Sequence, residues 1–456
     1  MATPCIAQLM LKGEDFPKPI VARFDTPYSS SDGGALLIKA VDSRLGLTKR
    51  LAGCLEDARE SSKVVHEVRD LVRQRVFGLC CGYADANDAG RLAHDPVHKL
   101  LLGRDPVDGL GLASQPTLSR FENAVGPREL RAMGHVLADT VIDLHRQRLQ
   151  GRARRITIDL DPTDDPTHGQ QEFTFFNGHY DTWCYLPLVA TVTFNDEAAQ
   201  YAVAAVLRPG NAPASRGARA VLRRLVQKLR TAFPTARLRV RLDGGFAHPK
   251  LFAFFERHDL EYVVGMARNS RLDKRARRLL GRARMLSKAT GATAHVYGET
   301  RYAARSWGRK RRVIIKAEVV RHPGRDPKSN PRFVVTNLPD RPERVYGIYC
   351  ARGDVENRLK ELHDGVALGR TSCSRFWANQ LRVLLSLTAY ILLQELRRRA
   401  AGTSCADAQV STLRERLVKL AVRVERSVRR IVLHLPVYFP WRTDWTTIAQ
   451  AVGARP

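Results

Sequence analysis

The chain has 456 residues, 75 Lys and Arg against 46 Asp and Glu, and a formal net charge of +29 with a pI near 10.4. Its length exceeds what one hydrophobic core holds, and its 44% hydrophobic content is enough for real cores, so a catalytic domain with one or two attached modules is expected. The charge favours a polyanion as partner, nucleic acid first, while the eight scattered cysteines include no C-x-x-C pair to suggest a structural zinc and read as reduced thiols of a cytoplasmic, nucleoid-associated protein.

Residues 1–12 hold one short apolar stretch without the basic flank and cleavable core of a secretion signal. Residues 60–150 carry helical spacing at Val64, Val65, Val68, Leu71, Val72, Val76 and Leu79, punctuated by Asp95-Pro96 and Asp105-Pro106. Several short helices are expected, forming a helical DNA-binding domain over residues 1–150. Within 112–123, Ser114 is a candidate N-cap and Pro116 stands in the first turn, so that Thr117, Ser119 and Arg120 are candidates to face DNA. The competing reading is a capped helix packed on its neighbours.

From residue 152 the texture becomes α/β. Residues 156–161 alternate apolar and polar, and 185–194 and 200–207 follow as strands of a meander. A helix over 218–232, a strand over 238–243, a helix over 248–258 and a strand over 261–266 complete the element order of an RNase H-like sheet, whose first and fourth strands are neighbours in parallel. The Lys- and Arg-rich run 270–310 and the β-rich runs 312–320 and 331–337 read as a basic insertion over about 270–340. Helical pattern then continues to Arg399, and the apolar run 381–396 is too short and polar to span a bilayer, so a buried helix is expected. Residues 401–456 read as a basic C-terminal tail, with an amphipathic basic element over 411–435.

Three acids stand out. Asp161 and Asp243 each close a strand-like run, Glu356 opens a helical one, and they lie 82 and 113 residues apart, which excludes a local metal loop. Phosphodiester chemistry with two Mg2+ ions asks for carboxylates from separate elements and needs neither His nor Cys. Asp159 shares the strand face of Asp161 and is its alternative as metal ligand. Asp164, Asp165 and His168 form a further polar cluster that reads as a turn.

The spacing Tyr349-x2-Arg352-x3-Glu356, with Asp-x-Asp-x-Thr at 159–163 and LDGGF at 242–246, resembles the DDE insertion-sequence transposases bearing the Tyr-Arg-Glu-Lys signature. The run THGQQEFTFFNGHYDTWCYLPL over 167–188 is similar to the subgroup called insertion-sequence family thirteen-eighty. The resemblance covers most of the chain from about Arg73. It implies an RNase H-like catalytic domain over 151–400 with a β-rich insertion, and an enzyme that cuts transposon ends and joins their 3′ ends to target DNA. It further implies Asp161, Asp243 and Glu356 as catalytic metal ligands for two Mg2+ ions, with Mn2+ as substitute, and Tyr349 and Arg352 as grips on phosphates. The lysine of the signature is expected seven residues after the Glu, where this chain has His363, while Lys360 lies one helical turn after Glu356. Trp307, in the insertion, is a candidate to stack on a flipped base, against the reading of a Trp filling a small β core.

The expected partners are therefore the terminal inverted repeats and target DNA, with a dimer in the DNA complex and no membrane. A stand-alone nuclease on the same fold, or a DNA-binding protein derived from a transposase and no longer catalytic, are the alternatives.

Overall fold

The computed structural model describes residues 9–12 and 18–455; most of the N-terminal stretch weighed for secretion lies outside them. Eight strands form one mixed sheet: β1 (Arg155–Pro162), β2 (Leu188–Phe194), β3 (Tyr201–Val206), β4 (Arg237–Leu242), β5 (Glu261–Met266), β6 (Ala294–Tyr302), β7 (Arg311–Val320) and β8 (Lys328–Thr336). Their order is β3-β2-β1-β4-β5-β8-β7-β6. The pairs β1/β4 and β4/β5 are parallel and the rest antiparallel. The expected meander and the parallel pairing of the first and fourth strands are both present. Strands of the insertion extend this sheet through β8 instead of forming a separate one.

The central strands are covered on both faces, which is why β1 buries Ile156, Ile158 and Leu160 together with Asp159. The run expected over 185–194 divides: Leu188–Phe194 joins the main sheet, whereas Thr182–Tyr185 pairs with Phe175–Asn177 and Asp165–Pro166 in a small three-stranded ribbon. This ribbon follows directly from the end of β1.

The helices are α1 (Ala35–Leu45), α2 (Val68–Cys81), α3 (Gln115–Ala124), α4 (Pro127–Arg148), α5 (Ala218–Ala232), α6 (Pro249–Arg257), α7 (Ser270–Thr290), α8 (Pro342–Cys350), α9 (Asp354–Lys360) and α10 (Phe376–Arg399), with shorter turns between them. In α5, Val221, Leu222, Leu225, Val226 and Leu229 recur at helical spacing and are buried, with Arg and Lys on the other side. Helix α10 is the long apolar element expected near the C-terminal half; it is long and apolar enough to cross a membrane, but 89% of its apolar window is buried inside the protein. It packs on α2, α3 and α4 and on strand β3. One large hydrophobic core includes residues from Ala35 to Val452, so the N-terminal helices are continuous with the sheet, and a smaller cluster of Val263, Ile314, Val334, Leu338, Val345 and Tyr346 lies between the sheet and α8.

The region expected as a tail is folded. Val422–Arg426 pairs with Ile431–His434 and with Ser29–Ser30, and a helix follows over Arg442–Ala451. Within the amphipathic basic element expected over 411–435, Val422 and Val424 are β-branched and buried on alternate positions, which suits a strand. Buried Asp32 clamps this region by accepting from Lys419 (2.7 Å) and by a 2.9 Å bond with His98.

Strand β3 is an edge, and α10 seals it with side chains. Gln394 accepts from the Ala202 amide (3.2 Å) and donates to the Gln200 carbonyl (2.8 Å), and Gln380 does the same for the Leu207 amide (2.7 Å) and the Ala205 carbonyl (3.3 Å). Replacing Gln394 by Leu leaves a buried amide and carbonyl without partners, a loss of about 1–3 kcal/mol. The expected outcome is a lower denaturant midpoint for Gln394→Leu; an unchanged midpoint would show that the edge does not need this cover.

Candidate functional site

The site begins with a register. In the parallel pair β1/β4, Asp159 stands opposite Arg241, so Asp161 and Asp243, two residues further along each strand, arrive at the same end of the sheet. Asp161 is the penultimate residue of β1. Asp243 follows β4 directly and caps the turn Gly244–Phe246, accepting from the Gly245 amide at 2.9 Å.

Glu356 approaches on α9. Its connection to Asp161 is Arg352, in the turn Ala351–Gly353 between α8 and α9. Arg352 Nη1 donates to Asp161 Oδ2 at 2.8 Å, and its Nη2 lies 3.5 Å from Glu356 Oε1, one helical turn away. Tyr349, near the end of α8, seats its ring on the sheet end beside Asp243. A methyl group on Gly265 would lie 2.5 Å from the Tyr349 hydroxyl and 3.0 Å from the Gly244 amide, so only glycine lets this side chain in.

Electrostatics couple these groups. Burial, reinforced by the charges of Asp243 and Glu356, pushes the Asp161 carboxyl up to about 6 against the opposing pull of Arg352. Burial likewise raises the Tyr349 phenol, and Asp243 adds to it. A buried carboxyl with two further acids close enough to act on it forms a donor set suited to a hard divalent cation. They do not close on a single ion: among the described residues, the only three ligating groups with atoms within 4.8 Å of one another are Asp32, Cys81 and His98. There the ammonium of Lys419 already satisfies Asp32. At Asp161 and Glu356 the spacing instead admits a guanidinium between the carboxylates.

Two expected site residues are corrected. Asp159 is fully buried and both its oxygens are taken by Arg241, at 2.6 and 2.8 Å, so it is part of the sheet's interior and not an alternative to Asp161. Trp307 is only 7% exposed, packed by Phe252 at 5.0 Å and Tyr302 at 5.7 Å with the Arg311 guanidinium 5.2 Å from its ring. It fills a core and offers no face to a base.

Lys360 is exposed on α9. His363 is half-buried on a π-helical turn, Glu361–Gly365, and its Nε2 lies 2.9 Å from Thr163 Oγ1. It links the helix of Glu356 to the chain just after Asp161. On α3, Arg120 is exposed and Thr117 half-buried, the latter 3.2 Å from the hydroxyl of Ser114, which occupies the N-cap position. Ser119 is half-buried on the same helix. Sequence reasoning missed Arg241, although three arginines alternate in RLRVRL on a central strand and the inner two, Arg239 and Arg241, call for carboxylate partners. It also missed Tyr180 in the ribbon, whose phenol is raised by burial and by the charges of Asp164, Asp161 and Asp243.

The folded Asp161 holds its proton to about pH 6, against a reference value of 3.8. The cost of ionising it is therefore absent below about pH 4, grows as pH rises to 6 and is complete above, reaching at most about 3 kcal/mol. Asp161→Asn removes that cost but deprives Arg352 of a partner. A net gain of about 1–2 kcal/mol in metal-free stability is expected at pH 8, shrinking toward pH 4. Denaturant titrations at both pH values check this; a variant less stable than the parent at pH 8 contradicts it.

No curated protein matches the chain. A family model described as transposase DDE domain group 1 matches residues 12–454. Because that match runs across nearly the whole sequence, the chain belongs to the group 1 DDE-domain transposases.

Proposed function

We propose that this transposase binds the terminal inverted repeats of its element, cleaves DNA there and transfers the 3′ ends to a target by two-metal phosphoryl transfer. The carrying observation is the junction of Asp161, Arg352 and Glu356 beside Asp243, built from two adjacent parallel strands and a separate helix. The strand order β3-β2-β1-β4-β5, with β1 parallel to β4, supports an RNase H-like core. Tyr349, Arg352 and Glu356 at signature spacing support the insertion-sequence family thirteen-eighty, with His363 standing where the signature has lysine.

Asp161, Asp243 and Glu356 are the proposed holders of two Mg2+ ions, or Mn2+ in their place, which when bound supply charge neutralisation to the attacking and leaving oxygens. The chain's own groups do the rest. Lys360, exposed on the helix of Glu356, reaches for the backbone of the DNA strand, and Arg352 and Tyr349 orient the phosphate next to the carboxylates. His363, held by Thr163, fixes α9 relative to β1. Two transposon ends must be paired, so the DNA-bound form is a dimer.

Asp161→Asn, Asp243→Asn and Glu356→Gln are each expected to lower cleavage and strand transfer by at least a thousandfold while leaving end binding measurable. Gel assays with cut and pre-cut transposon ends read both steps, and parental cutting by any of the three removes that residue from the site. Cutting without joining by the parent would make it a nuclease.

Arg352 occupies the space between two carboxylates as a resident cation. Arg352→Gln should therefore bind Mn2+ several-fold more tightly than the parent when no DNA is present, read by the electron spin resonance of free Mn2+. Equal or weaker binding would mean that the guanidinium and the ions do not compete.

A further inference from the structure

We infer that a cavity between α4, α5 and the edge strand β3 binds a small carboxylate whose body is one or two apolar rings. The cavity measures about 210 Å3, and its walls are Leu130, Ala138, Val221, Leu225 and Leu384. Trp377, at the start of α10, lines it as well and is 39% exposed, so the space is reached from solvent. None of these residues belongs to the carboxylate site.

The hollow originates in the sequence of α4. Leu130, Gly134 and Ala138 recur every fourth residue and share one helix face, and β3 adds Ala204 and Ala205 to the same lining. Small side chains on both elements leave room that a larger residue could take. Gly134 is the clearest case. It lies in the interior of α4, where glycine costs about 0.5–1 kcal/mol relative to alanine, and a methyl group added there meets no atom within 4 Å. Neither backbone conformation nor close packing calls for glycine at this position, yet its absence of a side chain keeps the cavity open.

Charge at the rim selects the occupant. Arg131, His135, Arg224 and Lys228 line the same space. Lys228 is paired with Asp139, whereas Arg131 and Arg224 have no carboxylate partner among the described residues. Arg224 is half-buried; burial and the like charges of Arg131 and Arg223 push its guanidinium below its ordinary value, and burial with Lys228 and Arg224 does the same to His135. A carboxylate set between the two guanidiniums would relieve that repulsion through charge-assisted hydrogen bonds, while its apolar body leaves water for the walls. Size narrows the choice further. A cavity of about 150 Å3 holds a benzene ring, so this one takes one or two rings, and a partner helix about 10–12 Å across is too wide for it.

Isothermal titration calorimetry on the full chain compares naphthoate with naphthylmethanol and naphthylmethylammonium, which share the rings and differ in charge. Naphthoate should bind the parent at least tenfold more tightly than the alcohol, and the ammonium should bind weakest. An Arg131→Gln/Arg224→Gln double variant should lose that preference while its affinity for the alcohol changes less than twofold. Gly134→Leu should bind none of the three and melt at or above the parent's temperature, since its side chain enters open space. The inference is overturned if a folded parent binds naphthoate no better than the alcohol, if the double variant keeps the preference, or if Gly134→Leu melts well below the parent, which would mean that the space is already filled. Displacement of naphthoate by a short DNA duplex would assign the two arginines to DNA instead, and a parent dimer that Gly134→Leu breaks, seen by light scattering, would assign the cavity to a second copy of the chain.

Discussion

One buried ion pair sets the geometry on which the site depends. Arg241 grips Asp159 with two nitrogens across the parallel strands β1 and β4, and its remaining nitrogen donates to the Ile348 carbonyl at 3.2 Å. The same guanidinium therefore holds the strand that carries Asp161, the strand that leads to Asp243 and the helix that carries Tyr349. Side chains alternate along a strand, so a slip of one residue would turn Asp159 away from Arg241 and leave charges buried alone, a penalty of about 3–5 kcal/mol. A hydrophobic pair would tolerate such a slip more readily. Here the ion pair contributes registration more than stability, and the carboxylates at the strand ends inherit their positions from it.

The positive charge of the chain is distributed away from this centre. Helix α7 presents Arg271, Lys274, Arg277, Arg278 and Arg282 to solvent without a carboxylate partner among the described residues. These charges act at range, and on the proposed reading they draw in a phosphate backbone in a manner that salt weakens. The sheet end is acidic and the adjoining ribbon carries no cation. Attraction over distance and chemistry at contact are thus assigned to different surfaces, a separation that the net charge of +29 conceals.

Much of the fold was legible because its elements are long and strongly patterned. Strands β1, β4 and β5 and helix α5 fall within a residue or two of where periodicity put them. Asp161, Asp243 and Glu356 could be named because each closes or opens such an element. Burial was not legible. Asp159 and Asp161 have the same strand face and the same chemistry, and only the neighbour in the next strand, 82 residues away, shows that one of them is consumed by an arginine. Trp307 failed for a related reason: an aromatic in a basic insertion looks exposed until Phe252 and Tyr302 arrive from other elements. The C-terminal residues were misjudged because their pairing partner, Ser29–Ser30, lies at the other end of the chain.

The competition at Asp161 shows what the site lacks. Arg352 sits 2.8 Å away, a distance at which an arginine ordinarily holds a carboxylate well below its reference value, and yet this carboxyl is pushed up to about 6. Burial and two neighbouring acids outweigh one guanidinium. That guanidinium is shared with Glu356, so a single positive charge contacts two carboxylates while Asp243 stands near Asp161 with no ion-pair partner among the described residues. A second arginine could pair with it only by taking more space and more hydrogen-bond donors than the sheet end offers, with Gly244, Gly245 and Gly265 already packed against Tyr349, Asp243 and Ala214. A compact divalent ion would carry balancing charge in the smallest volume, and this physical demand is what the proposed metal chemistry rests on at this end of the sheet.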